Sequence, residues 1–219
     1  MLDALKRLFV GRREGADFQA VMAWAKTSGY VFKRARDGQG FVVEGGSWRL
    51  EAGPPQRDYI DGPELRLRCD TDMPSDLQML VMSRPLMSAL ESETFEQFTD
   101  PVQTYADDSA PEEMRWLAMF NKLDSTALGP LGARFGAAAL VPASVQAWIG
   151  GELSARLQAV SLTLEHEQPI VLMTNRGRVT LRTELQAADG AALAPWIALF
   201  ETALRQLPEA RRALREATA

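Results

Sequence analysis

Two chemically useful residue types are almost missing from this chain: it holds one cysteine, Cys69, and one histidine, His166. A lone cysteine excludes an internal disulfide, and a cytoplasmic location is the expectation that follows. Cys69 ends an alternating strand pattern on its apolar side, so it is expected to be buried and inert. A lone histidine excludes every histidine-pair metal motif, and a Ser-His-Asp or Cys-His mechanism would have to use His166. That residue sits in Glu165-His166-Glu167 beside Gln168-Pro169, which reads as an exposed turn. Long apolar runs are also missing. None approaches the ~18 residues of a membrane span, and Lys6 and Arg7 interrupt the place where a secretory signal would be apolar.

Phosphate-binding glycine loops are absent too. Gly129-Pro130-Leu131-Gly132 lacks the Gly-Lys-Ser/Thr that a P-loop needs. Gly38-Gln39-Gly40 lacks a third glycine and opens no helix, so no dinucleotide fingerprint exists. The sequence therefore assigns no catalytic, cofactor-binding or metal-binding residue, and the expectation leans away from an enzyme. The richness in alanine, arginine and leucine suits a bacterial protein.

What the chain does have is an uneven charge distribution. Its net charge is −5, from 24 basic and 29 acidic residues. Residues 1–13 hold four basic side chains and one acidic. Residues 91–113 hold eight acidic side chains and no basic one. The remainder is balanced, with 20 of each sign. The opening MLDALKRLFVGRR places Leu2, Leu5, Leu8 and Phe9 at helical spacing among Lys6, Arg7, Arg12 and Arg13. So short a segment is marginally helical alone in water and needs a surface to order it.

Of the 219 residues, 46% are hydrophobic, enough for a substantial core. Phe18, Val21, Met22 and Ala25 form a helical stripe between Asp17 and Gly29. Residues 30–36 and 41–46 read as a hairpin about Asp37-Gly38-Gln39-Gly40. Strands are expected at 47–52 and 64–69 around the Gly/Pro/Asp-rich loop 53–63, and another at 77–82. A short helix over 84–92 precedes an acidic connector. Pro111 opens a helix running to about Leu123. A strand is expected over 135–141, then a helix from Pro142 that breaks at Gly150-Gly151. Strands are expected at 161–166, 169–174 and 178–185. Leu193, Trp196, Ile197, Phe200, Leu204 and Leu207 define a strong helix, and Pro208 restarts it into a basic tail.

These patterns predict an α+β protein of two similar-sized halves. Each would be an antiparallel sheet with helices packed on one face, as a diverged duplication would leave. The divisions are 1–16 (basic amphipathic segment), 17–92 (first half), 93–110 (acidic connector) and 111–219 (second half).

Three functions compete. The leading expectation is a non-enzymatic protein acting through an interaction surface on a protein partner or a second copy of itself. One contact set is Leu5, Lys6, Arg7, Leu8 and Phe9; the other is Phe95, Phe98, Asp107 and Asp108. The second is a metal-assisted hydrolase built on Asp70, Asp72 and Asp76. The Asp70-Thr71-Asp72 ending of a strand resembles the haloacid dehalogenase phosphatases, which implies a nucleophile and an acid at those two positions. Met73 stands where that family has glycine. The third is a peripheral protein whose residues 1–13 lie on an anionic membrane surface. Nucleic acid is set aside, although Arg34, Arg36, Arg49, Arg66 and Arg68 are expected on one face of the first sheet. Residues 30–70 carry seven basic and seven acidic side chains, which favours cross-strand ion pairs over phosphate binding.

Overall fold

Period-two alternation in the first half becomes a four-strand meander. β1 (Val31–Arg34), β2 (Phe41–Gly45), β3 (Trp48–Gly53) and β4 (Glu64–Asp70) pair antiparallel in chain order. The computed structural model describes residues 18–99, 111–165 and 167–219, with the side chains of 94–99 outside the description. The first hairpin turns where its chemistry demands, with Gly38 at φ +70°.

The second half does not build a sheet of its own. β5 (Met79–Ser83), β6 (Asn121–Lys122), β7 (Phe135–Ala139), β8 (Ile170–Asn175) and β9 (Arg178–Glu184) continue the first. The result is one nine-stranded antiparallel sheet in the order β1-β2-β3-β4-β9-β8-β5-β7-β6. The α+β class holds, but two separate sheets do not form. β4 zips to β9, and β5 from the first half lies between β8 and β7 of the second. This interleaving shows no repeat of one half by the other.

Helices lie on both faces, not one, because central strands are apolar on both sides. Met79 and Val81 point into one hydrophobic cluster, and Leu80 and Met82 into another. The larger cluster lies beneath α1 (Gln19–Thr27), α4 (Pro142–Trp148), α5 (Gly151–Ser161), α6 (Gly190–Arg205) and α7 (Leu207–Thr218). It buries Leu50, Leu67 and Leu181 against Trp148, Leu157 and Phe200. The smaller cluster lies beneath α2 (Arg84–Thr99) and α3 (Glu112–Met119), where Leu86, Leu90, Met114 and Leu117 meet Val171 and Met173.

Local departures have local causes. The expected strand over 161–166 does not form among its described residues: Ser161 ends α5, and 162–165 turn away from it. Leu162 donates its N–H to Gln158, the Thr163 hydroxyl turns back to Val160 (2.9 Å), and Leu162 is 86% exposed. The helix after Pro111 stops at Met119, because Asn121 and Lys122 pair with β7 at the sheet edge. α2 runs on to Thr99, past the expected end at 92 and into the acidic stretch. The break at Gly150-Gly151 and the restart at Pro208 occur as expected. Among the described residues, no helix is long and apolar enough to cross a membrane.

Candidate functional site

α2 and α3 cover only the part of their sheet face formed by β5, β7 and β8. From β9 to β1 the same face carries charged side chains, placed there by alternation: Lys33, Glu44, Arg49, Glu51, Arg66, Arg68 and Arg182. Their opposites on each strand enter the larger core.

The charges pair across strands and, between Arg49 and Glu51, along one. Glu44 accepts from Lys33 Nζ (2.7 Å) and Arg49 Nη1 (2.8 Å). Glu51 accepts from Arg49 Nε (2.6 Å), from Arg66 and from Arg68 Nη2 (3.1 Å). Glu64, 3% exposed, accepts from Arg182 and from the Gln56 N–H (2.7 Å). Arg66 also donates to the Gln56 side chain, linking strand to loop. Burial pushes the Glu51 carboxyl up, but the surrounding arginines outweigh it and hold the group below the usual range. Glu44 is lowered chiefly by its hydrogen bond from Lys33.

The face is bounded toward α3 by a buried polar knot. Glu113, the second residue of that helix, is fully buried. Its Oε1 accepts from Arg57 Nε and from the Tyr59 hydroxyl, each at 2.6 Å, so loop 53–63 is tied to α3. Next to it, Glu112 accepts from the Asn175 amide (2.6 Å) at the end of β8.

At the far end, where the β1–β2 hairpin meets the end of β3, lies an open groove of about 590 Å³. Its charged lining is Lys33, Arg34, Arg36, Arg49 and Arg66 against Asp37, Glu51 and Glu64, five basic to three acidic. Arg34 does not share the ionic face with Arg49, Arg66 and Arg68, as the sequence suggests. It is paired with Phe41, whose ring faces the core, and its guanidinium lies 5.7 Å from the Phe18 ring. Lys33 takes the ionic face in its place.

Of the sequence-predicted residues, Leu5, Lys6, Arg7, Leu8, Phe9, Asp107 and Asp108 lie outside the described residues. Phe95 and Phe98 fall in α2, where only the backbone is described. His166 is also outside. Asp70, Asp72 and Asp76 do not come together. Asp70 is paired with Arg178 Nε (2.6 Å), which lowers its carboxyl, and no three His, Cys, Asp or Glu among the described residues could hold a metal ion. Cys69 is buried as expected, at 5% exposed. The arginine-and-carboxylate alternation in 44–68 is visible in the sequence. The knot of Arg57, Tyr59 and Glu113 is not, beyond the presence of an aromatic residue in a polar, proline-rich loop.

Such an arrangement defines a class: an α+β protein with one antiparallel sheet, half of one face helix-covered and half ionic. No family model matches the chain, and no curated protein matches it. Among solved structures it is similar to the crystal structure of the mycobacterial trehalose monomycolate transport factor A, TtfA. That likeness has 8% identity and a TM-score of 0.41, and it covers 93% of this chain and 96% of the other.

Proposed function

We propose that the protein is a non-enzymatic, cytoplasmic bacterial protein that works by holding a protein partner on an interaction surface. One observation carries this reading. Among the described residues, the helices that pack on the rest of the second sheet face stop short of its ionic half, where the side chains of Lys33 and Arg68 are 57% and 40% exposed. An ordered array of cross-strand ion pairs gives charge-directed specificity more than raw affinity, which suits recruitment. The basic segment with Leu5, Lys6, Arg7, Leu8 and Phe9, and the acidic stretch with Phe95, Phe98, Asp107 and Asp108, supply further contacts in the same reading.

The test is capture by the immobilised full chain, followed by rebinding of one identified, purified partner. Lys33→Glu combined with Arg68→Glu, both exposed enough to leave the core untouched, should weaken that partner at least tenfold. Deletion of residues 1–13 should weaken it too, in a salt-sensitive way, while circular dichroism shows the fold intact. An affinity indifferent to both changes overturns the proposal. So does a chain that captures no protein but co-sediments with anionic vesicles through residues 1–13.

A further inference from the structure

We infer that the hollow between the β2–β3 turn and the C-terminal half of α6 is a binding site for an organic ammonium group, carried by a free alkylamine or by a lysine side chain. The site is separate from the ionic sheet face. It lies at the other end of β2 and β3 from the open groove, and its aromatic side chains belong to the larger core.

Local sequence builds the aromatic wall. Tyr30 follows α1 and donates its backbone N–H to the Ala25 carbonyl (2.8 Å). Its ring lies between those of Trp24 and Trp48, with centroid separations of 5.5 and 5.0 Å. Gly45 ends β2 opposite Trp48. A Cβ there would stand 2.5 Å from the Trp48 ring and 2.8 Å from the Tyr30 ring, so glycine is what lets both rings close over the strand end. Trp48 is buried and Tyr30 is half-buried. With Glu201, Leu204 and Arg205 of α6 they line a hollow of about 340 Å³. That is at the small end of the ~300–1,000 Å³ range of ligand sites, the size of a head group on a short stem.

Charge selects the ligand. Trp48 donates its indole N–H to Glu201 Oε1 (2.9 Å), which fixes the carboxylate beside the rings. Among the described residues nothing donates to its other oxygen, and no lysine or arginine pairs with it. Arg205, one turn further on, is taken by Glu152 (3.1 Å) and the Thr202 hydroxyl (2.9 Å) instead. The Tyr30 hydroxyl also has no hydrogen-bond partner among the described residues. Burial, and then the Glu201 charge, push its phenol above the usual range, so the two groups share one field. A carboxylate beside aromatic rings favours a cation with an apolar stem: the oxygen answers the charge, and the rings answer both charge and stem. A metal ion fits worse, because no three His, Cys, Asp or Glu among the described residues could hold one. A neutral ligand would leave Glu201 desolvated and uncompensated.

The test uses the full chain, isotope-labelled at the tryptophan indole nitrogens, and follows its five indole N–H signals by NMR. The Trp48 signal is assigned by its loss in Trp48→Phe. Titration with n-butylammonium chloride should shift that signal saturably in the millimolar range. n-Butanol, which has the stem without the charge, and sodium chloride should not. Glu201→Gln keeps an acceptor for Trp48 and removes the charge; it should weaken binding at least tenfold with an unchanged melting temperature. Tyr30→Leu should weaken it about threefold. Arg205→Gln removes a competing cation and should tighten it. Nα-acetyl-lysine amide separates the two sources: binding as tight as that of butylammonium assigns the site to a lysine side chain, and weaker binding assigns it to a free amine. The inference is overturned if butylammonium gives no saturable shift, if butanol matches it, or if Glu201→Gln binds it equally. Recruitment through the ionic face stands or falls separately, because Lys33→Glu with Arg68→Glu leaves this hollow untouched.

Discussion

Glu113 is the residue where burial and charge conflict most openly. Burial alone would raise its carboxyl, yet the hydrogen bonds from Arg57 and Tyr59 hold it below the ordinary value. Tyr59 shows the reverse: burial and the Glu113 charge push its phenol well above its usual range. The second carboxylate oxygen of Glu113 has no hydrogen-bond partner among the described residues, so Arg57 and Tyr59 provide the side-chain compensation. Glu113→Gln keeps the shape and removes the charge. Breaking a buried pair costs about 3–5 kcal/mol, and water reaching the 22%-exposed Arg57 reduces that. A loss of roughly 2 kcal/mol in urea unfolding at pH 7 is expected. The pH dependence has a definite sign. A carboxyl lowered in the folded state supplies stability above its unfolded value of about 4.3, and that stability is lost as pH falls through the folded value. The gap between wild type and Glu113→Gln should therefore be constant from about pH 6 upward and narrow below about pH 4. Glu51 follows the same rule. Glu184, raised by burial and then by Asp61 and Glu165, contributes oppositely: its share is present in acid and lost as pH rises through its folded value.

Between elements, two contacts fix how α4, α5 and α6 meet. Trp148 is completely buried on α4 and donates its indole N–H to the Ala203 carbonyl of α6 (2.8 Å). Trp148→Phe leaves that carbonyl unpaired and a void beside it, and should cost about 2–3 kcal/mol by denaturant titration. Gly151 starts α5 at φ +56°, and Gln206 from the α6–α7 junction caps the Leu153 N–H (3.1 Å). Gly151→Ala should cost about 1 kcal/mol, because an alanine there is held in the left-handed region. A smaller loss would mean that the junction relaxes. These breaks were legible in the sequence, as were the Asp37–Gly40 turn and the strand at 64–69, because each rests on backbone chemistry within a few residues. The strand expected at 161–166 failed for the same reason that made it plausible. Its apolar–polar alternation is real, but Ser161 already belongs to a helix whose last turn is closed by Gln158 and Val160. Asn121 and Lys122 carry no periodic signal at all. Arg34 was set on the wrong face because its side depends on register across the hairpin, which pairs it with Phe41. That Glu113 meets Arg57 depends on a loop from 56 residues earlier.

At the scale of the molecule, the sheet order decides whether the two halves are folding units. β4 meets β9 through seven residue pairs, from Glu64–Glu184 to Asp70–Arg178. β5 has β8 on one side and β7 on the other, so both of its partners come from beyond the acidic stretch. A first half alone would leave β5 with no ladder on either side and would expose the edge of β4. Unpaired apolar strands of that kind aggregate instead of folding. A second half alone would hold β8 and β9 together but would lack the strand that joins them to β7. Expressed separately, residues 1–92 and 93–219 should each be insoluble or unfolded, and mixing them during refolding should restore structure if the connection is dispensable. The intact chain should unfold in guanidinium as one transition. Trp24 and Trp48 report from the first half, and Trp116, Trp148 and Trp196 from the second. Single-tryptophan variants from the two sides should therefore give the same midpoint as circular dichroism, the signature of all-or-none unfolding. Two separated midpoints would show that the β4–β9 ladder is too weak to couple the halves. The long-range pairing that makes the sheet continuous also makes it slow to form. Refolding should accordingly lag behind that of a helical protein of this length, and Leu67→Ala, on the β4 side of the seam, should lower the single midpoint without splitting it.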